Sequence, residues 1–275
     1  MKRRPSYSGL LLRHGSILFF GILTILPFFI MISLSFKDAT QFNLHRWSVT
    51  FPFHWSNYAA AWHAIRSYIG NSFMISGVTV IGVLVVSCLA AYPLARIHFF
   101  MKEQIYFLII ALLMIPSTLT LVPLFSLIIK FRMLDSWLGL WGPFIAGGQV
   151  FCIFVLRSFF SSLSEEMFEA ARIDGASEKR ILFSIVLPLS KAIIATLGVL
   201  NILGTWNDYI WPLMVITDDR LMPLTIGLMA FQQQFTTDWG PLFAGYVLAS
   251  IPLLILFVFT SKQFVEGLSS GSVKM

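Results

Sequence analysis

Residues 161–188 read Ser161-Ser162-Leu163-Ser164-Glu165-Glu166-Met167-Phe168-Glu169-Ala170-Ala171-Arg172-Ile173-Asp174-Gly175-Ala176-Ser177-Glu178-Lys179-Arg180-Ile181-Leu182-Phe183-Ser184-Ile185-Val186-Leu187-Pro188. The stretch lies between two long apolar runs, and it reads as two short helices with a break. Ser162 with Glu165 matches a capping box, in which a hydroxyl accepts the amide three residues on. Glu165, Glu166 and Glu169 then fall near a helix N-terminus, where the macrodipole favours negative charge. Asp174-Gly175 ends that helix with glycine at the position that wants a left-handed C-cap. Ser177 can cap a second helix, whose apolar residues Ile181, Leu182, Ile185 and Val186 recur at helical spacing. Pro188 is tolerated in the first turn of the following run, since its missing N–H would be unpaired there.

On either side of this amphipathic pair the chain is too apolar for water. Hydrophobic residues make up 57% of the 275 and charged residues 12%, against roughly 25% charged in an average soluble protein. Mean hydropathy is +0.81. A soluble protein of this size needs more polar surface than that, and the low charge equally excludes disorder. Crossing the hydrocarbon core takes about 20 mostly apolar residues per helix. Six runs qualify, at 16–36, 71–97, 104–129, 137–160, 188–216 and 240–261, and each contains proline. Alternating barrel patterning is missing, so the expected class is an all-α integral membrane protein with six transmembrane helices. The basic start Met1-Lys2-Arg3-Arg4 resembles a secretory leader, but the apolar run after it is as long as a full span, and it reads as an uncleaved first helix.

Lys and Arg set the orientation. With the N-terminus inside, 13 of the 19 fall on the inner side and six on the outer, so both termini are expected in the cytoplasm. The basic balance is thereby a topology signal and calls for no nucleic acid. The expected layout is a cytoplasmic N-terminus at 1–15, the first span, an extracytoplasmic segment at 37–70, a core of five spans over 71–261 with the inner loop 161–187, and a cytoplasmic tail at 262–275. Segment 37–70 carries Trp47, Trp55, Tyr58, Trp62 and Tyr68, rings suited to the membrane–water interface. The outer loop 217–239 is long enough to meet a partner. Cys88 and Cys152 lie inside apolar runs and suggest neither a disulfide framework nor a metal site.

The inner loop also carries a resemblance. Glu169-Ala170-Ala171, three residues, Gly175, nine residues, Ile185, one residue and Leu187-Pro188 is similar, at every fixed position, to the cytoplasmic EAA loop of permease subunits in binding-protein-dependent ABC importers. Seven fixed positions at roughly 7% usage each arise by chance on the order of once in a million chains of this length. Arg172-Ile173-Asp174-Gly175-Ala176, Asn71-Ser72, Trp206-Asn207-Asp208 and the tail from Gly267 to Lys274 look like the smaller permease of the maltose-type and glycerol-phosphate-type branch. The tail departs slightly, with Ser270 and Ser272 where small apolar residues are usual. The resemblance implies a type I ABC importer permease fold in a prokaryotic inner or plasma membrane. It also implies three kinds of partner besides lipid: a homologous second permease, an ATPase dimer and an extracytoplasmic solute-binding protein. Glu169, Ala170, Ala171, Asp174, Gly175, Ile185, Leu187 and Pro188 would couple to the ATPase. The chain lacks GxxxxGK[ST], so ATP and Mg would be held by the ATPase, with no cofactor expected in this chain.

A polar solute needs polar faces on the spans, where such groups are costly and usually face a cavity or another helix. Asn71, Ser72, Gln149, Asn201, Thr205, Trp206, Asn207, Asp208 and Tyr209 are the candidates; joining helices is the other role open to each. Enzyme signals fail. Gly267-Leu268-Ser269-Ser270-Gly271 satisfies GxSxG without a preceding strand or a downstream histidine, and the five histidines never form HExxH. The remaining alternative is a secondary transporter driven by an ion gradient, which would predict internal repeats and discontinuous helices.

Overall fold

The computed structural model describes residues 7–235 and 238–272, with side chains described for 14–235 and 238–258. Every regular element among them is helical: α1 (Tyr7–Ser35), α2 (Ala39–Leu44), α3 (Ser56–Arg96), α4 (Lys102–Ala111), α5 (Ser117–Lys130), α6 (Leu138–Ser162), α7 (Glu165–Ile173), α8 (Glu178–Ile181), α9 (Leu187–Leu189), α10 (Lys191–Asn207), α11 (Ile210–Val215), α12 (Leu224–Gln234) and α13 (Trp239–Ser272). Four helices are long and apolar enough to cross a membrane unbroken, and two bent pairs bring the number to as many as six.

The bends are where the reading of the spans needs correcting. The run 104–129 is two helices meeting at 101°. Ile115 adopts an extended backbone, as a residue before proline prefers, and Pro116 starts α5. The run 188–216 does not open at Pro188. Proline cannot donate to the carbonyl four residues back, and the helix widens into a π-helical turn over Leu182–Val186. The chain then bends by 76° between α9 and α10, where the Ser190 hydroxyl donates to the Val186 carbonyl at 2.6 Å, a back-bond that bends helices. The same run breaks again at Asp208, which is extended between α10 and α11. Segment 37–70 is helical from Ser56 onward, continuous with the second span, and α12 lies within the loop expected at 217–239. The tail motif from Gly267 falls where side chains are not described.

Two compact units divide the chain. One takes residues up to Arg66 with Leu228–Pro252. In it α1 exposes most of its apolar side chains, Ile17 at 71% and Phe20 at 65% among them, a surface that suits lipid. Lys37 follows α1 and is 1% exposed; its ammonium donates to the carbonyls of His45, Arg46 and Ser48 at 2.5, 3.2 and 2.6 Å. Burial lowers its pKa, and the three carbonyls satisfy the charge that burial penalises. Trp239 stacks on Phe42 at 5.3 Å, which fixes the start of α13 against α2.

The other unit takes Ser67–Gly227 and Leu253 onward. One of its clusters gathers Val83, Cys88, Ala91 and Tyr92 of α3, Cys152, Leu156 and Phe160 of α6, and Leu197 of α10 around Phe168, Ala171, Ile181, Leu182 and Val186 of the 161–187 loop. A second holds Ile75, Ile128, Leu140, Trp211, Val215, Ile216 and Ile226. The loop thus shares one core with α3, α6 and α10. Phe168 and Ile181 are fully buried, each worth about 1.5–3 kcal/mol of apolar burial.

Candidate functional site: a braced helix pair and a cavity at a broken helix

Helix α7 divides cleanly by face. Phe168 and Ala171 point inward, whereas Glu169, Ala170, Asp174 and Gly175 are exposed, and Ile173 stands 85% exposed. Ile185 and Leu187 are half-buried against the core cluster and Pro188 is exposed. The predicted coupling set therefore splits in two: Ala171, Ile185 and Leu187 seat the loop, and the others face outward. Gly175 has φ +78°, the left-handed turn that glycine adopts without strain, and the Ala176 amide donates back to the Ala171 carbonyl at 3.0 Å. Ser177 caps α8 by accepting the Arg180 amide. The capping box at Ser162 does not form. Ser162 stays in α6 and its hydroxyl donates to the Phe159 carbonyl at 2.8 Å, while Ser164 takes the N-cap position without a side-chain bond.

The Glu165 carboxylate is held by the spans instead. Arg96, at the end of α3, donates to one Glu165 oxygen at 2.5 Å, to the Phe160 carbonyl at 2.9 Å and to the Leu163 carbonyl. Its guanidinium carbon sits 4.1 Å from the centre of the Phe168 ring. The side chain is only 7% exposed, whereas that of Glu165 is 56% exposed, so the carbonyl and ring contacts are the ones made largely out of water, where charged hydrogen bonds count for more. Arg172 pairs with the other Glu165 oxygen at 3.5 Å and with Glu178 at 3.0 Å. Tyr92, one turn before Arg96, donates to Glu178 at 2.5 Å. The bonds form a ring that leaves α3 at Arg96, passes through α7 and α8, and returns to α3 at Tyr92. A second brace joins α6 to α3 and α4: Arg157 donates to the Leu94 carbonyl at 3.3 Å and to both Glu103 oxygens at 2.8 and 2.9 Å, over the Tyr106 ring. Sequence reading treated Arg96 and Arg157 as topology charges. Their partners lie 54 to 69 residues away, and no local pattern announces them.

The ring has a pH dependence with a definite sign. The Tyr92 hydroxyl first, and then Arg172, hold the Glu178 carboxyl below its ordinary value of 4.5. A depressed folded-state pKa gives stability that is present above the unfolded value and lost as pH falls through the folded one. The protection of residues 165–181 against hydrogen exchange, taken relative to the intrinsic rate at each pH, is expected to stay constant at neutral pH and to fall only below about pH 4.5. Glu178→Gln should remove much of that acid step; an unchanged step would take Glu178 out of the ring's energetics.

Of the solute-path candidates, several serve the protein itself. Asn71 donates to the carbonyls of Arg220 and Met222, both at 2.9 Å. Ser72, 2% exposed, accepts the Leu224 amide at 2.8 Å. Trp206 is buried edge-on against Phe73, Tyr209 packs on the second cluster, and Asn207 donates to the Leu203 carbonyl. Gln149 has its backbone carbonyl on the Ser87 hydroxyl and its side chain lines neither cavity described next.

Asn201, Thr205 and Asp208 come together. They line an open cavity of about 340 Å³ with Pro143, Phe144, Gly147, Gly148, Phe151, Leu200 and Gly204. A neighbouring cavity of about 700 Å³ shares Pro143, Phe144, Gly147 and Asp208, and adds Ser117, Thr120 and Trp211 among others. One Asp208 oxygen accepts the Trp211 amide at 3.1 Å, capping the restart of the helix as α11, and the Asp208 carbonyl accepts the Thr225 hydroxyl at 2.8 Å. Non-helical backbone at membrane depth is tolerated where it lines a cavity, and this break does. Sequence reading missed Ser117, Phe144 and Trp211; the prolines beside them at 116, 143 and 212 were the available signal. No group of His, Cys, Asp and Glu among the described residues can hold a metal.

Residues 83–269 match the family described as the inner membrane component of binding-protein-dependent transport systems. The chain belongs to that family. Over 251 residues the permease is 36% identical to a probable ABC transporter permease, YurM, of Bacillus subtilis (strain 168), covering 90% of this chain and 83% of the relative. It is 32% identical over 267 residues to the diacetylchitobiose uptake permease NgcG of Streptomyces coelicolor, covering 95% and 88%. The sn-glycerol-3-phosphate permease UgpE of Yersinia enterocolitica is 32% identical, covering 91% and 93%. In fold, the permease is similar to a chain of a bacterial ABC transporter that imports the acidic polysaccharide alginate, with a TM-score of 0.82 at 22% identity, covering 96% of this chain and 100% of that one. The protein is thus a transmembrane permease subunit of an ABC importer with a type I permease fold. Such permeases work with a second permease, an ATPase and a binding protein. Broken helices alone would have suited an ion-driven carrier equally well; family membership decides between the two.

Proposed function

We propose that this permease forms half of an import path for a sugar or sugar-like solute and receives mechanical work from a separate ATPase through the outward face of α7. The observation that carries this is the division of that helix: Glu169, Ala170, Ile173 and Asp174 are offered outward, while the inward side is locked to α3 and α6 by Arg96 and the Phe168 core. A surface that only rested on lipid would not need a ring of ion pairs, closed by the Tyr92–Glu178 hydrogen bond, behind it. Ala170 lets a partner backbone approach closely, and Ile173 is an apolar knob with room to enter a groove. A push on this face is delivered to α3 and α6 together. The loop and both termini lie on the cytoplasmic side in this reading, as the 13-to-6 distribution of Lys and Arg suggests, and ATP with Mg is bound and hydrolysed in the ATPase. The sugar class is supported by relatives named for diacetylchitobiose, arabinooligosaccharides and melibiose, raffinose and stachyose.

Glu169→Lys and Ile173→Asp each test the face without touching the brace. Both variants should reach the membrane at normal levels, and recovery of the ATPase with the tagged permease should fall about tenfold, the loss of roughly 1.4 kcal/mol. Normal recovery with both would move the interface elsewhere.

On the solute side, Asp208, Asn201 and Thr205 are the residues of this chain placed to meet a solute; Asn71, Ser72, Trp206 and Tyr209 keep the helices in register. Asp208→Asn preserves the cap on α11, because asparagine caps as well as aspartate. It should alter solute-dependent uptake while leaving ATPase recovery unchanged. The reverse pattern would take Asp208 off the path.

A further inference from the structure

The two cavities that meet at Asp208 have a one-sided chemistry. Among the residues lining them, Asp208 is the single ionisable group, and no Lys, Arg or His contributes. The neutral polar groups lean the same way. The Thr205 hydroxyl donates its proton to backbone, at 2.9 Å from the Asn201 carbonyl and 3.2 Å from that of Ile202, and the Thr120 hydroxyl donates to the Ser117 carbonyl at 2.7 Å. The Asn201 amide nitrogen donates to Cys152 Sγ at 3.1 Å and to the Leu197 carbonyl at 2.9 Å. With those protons committed, what remains for the cavity is acceptor capacity: the threonine lone pairs, Asn201 Oδ1, and the Asp208 oxygen that does not take the Trp211 amide. The Ser117 hydroxyl alone keeps a free proton among these side chains.

We propose that this half of the path is an acceptor-lined, negatively charged wall that selects solutes rich in hydroxyl or ammonium donors and rejects anions such as phosphorylated or carboxylated sugars. The proposal rests on the reading of these cavities as part of the solute path, and narrows it to a substrate class. A neutral sugar ring can donate hydroxyls to every acceptor named above while laying an apolar face on Phe144 or Trp211. A phosphate or carboxylate has only acceptors to offer to side chains that, Ser117 apart, present acceptors, and a fixed carboxylate in a cleft raises the local concentration of cations and lowers that of anions.

The wall's charge can be read directly with a thiol reporter in the assembled transporter. Gly147 lines both cavities, and a Cβ there meets no atom within 4 Å, so the Cβ of Gly147→Cys has open space beside it. The native Cys88 and Cys152 are 7% and 0% exposed, and the parent transporter supplies the background. The probes are methanethiosulfonate ethylammonium and methanethiosulfonate ethylsulfonate, similar in size and opposite in charge, with rates normalised to a free thiol in solution. The cationic reagent is expected to react about tenfold faster than the anionic one, and adding Asp208→Asn, which keeps the helix cap, should bring the ratio to near unity. Reaction by both reagents at a ratio already near unity, or a ratio that Asp208→Asn leaves alone, overturns the negative wall while leaving the path in place. No reaction with either reagent at Gly147→Cys or at Ser117→Cys means that water does not reach the cavities, and overturns the path reading together with the inference.

Discussion

Gly175→Val is expected to cut ATP-driven uptake at least about tenfold while the protein inserts normally. The cause is conformational. Gly175 sits at φ +78°, and a Cβ added there would meet no atom of this chain within 4 Å, so the Cβ itself clashes with nothing in the permease. The left-handed backbone costs an ordinary residue roughly 1–2 kcal/mol, with β-branched residues at the upper end. About 2 kcal/mol is close to a thirtyfold change in the population of the turn that sets α8 against α7. The expected order of uptake is glycine, then asparagine, then alanine, then valine, since asparagine visits the left-handed region most readily among residues with a side chain. Uptake by reconstituted vesicles across that series checks it. An order that follows side-chain size alone would mean that the surface at 175 matters and the turn does not.

Arg96→Ala should have an effect of similar size by another route. It removes three hydrogen bonds and the ring contact with Phe168 in one step. The Leu163 carbonyl then loses Arg96, while the Phe160 carbonyl keeps only the Leu163 amide at 3.4 Å and Glu165 only Arg172 at 3.5 Å, at a local cost on the order of 3 kcal/mol. Because the outward face of α7 is untouched, the ATPase should still be recovered with the permease. The expected signature is ATP hydrolysis that continues while uptake falls, as the loop moves without carrying α3. Arg96→Lys should rescue little, since a single ammonium cannot reach the two carbonyls and Glu165 in a fixed fork. Parallel loss of hydrolysis and uptake would instead place Arg96 in the ATPase contact itself.

How far the sequence could be read follows from the range of each interaction. The spans were legible because apolar length is a local property, and the turn at Gly175 and the cap at Ser177 because both are decided within four residues. The 101° and 76° bends were not. Proline marked both neighbourhoods, but six runs held proline, and which of them turns sharply depends on what packs beneath. The expected capping box failed because α6 extends through Ser162 and Ser164 takes the N-cap of α7, while the Glu165 carboxylate pairs with Arg96, 69 residues earlier in the chain. Among the path candidates, amide and hydroxyl groups in apolar runs look alike on paper. Asn71 and Ser72 find partners about 150 residues downstream, whereas Asn201, Thr205 and Asp208 flank a break whose cavity no periodicity reveals.

The central claim is that the outward face of α7 sits on an ATPase subunit while its inward side is fixed to the spans. A photoreactive amino acid at Ile173, 85% exposed and clear of the brace, tests it most directly in the intact transporter. Irradiation with and without ATP should give adducts with the ATPase subunit in both states. Adducts with lipid alone, or none with any subunit in either state, would contradict the account.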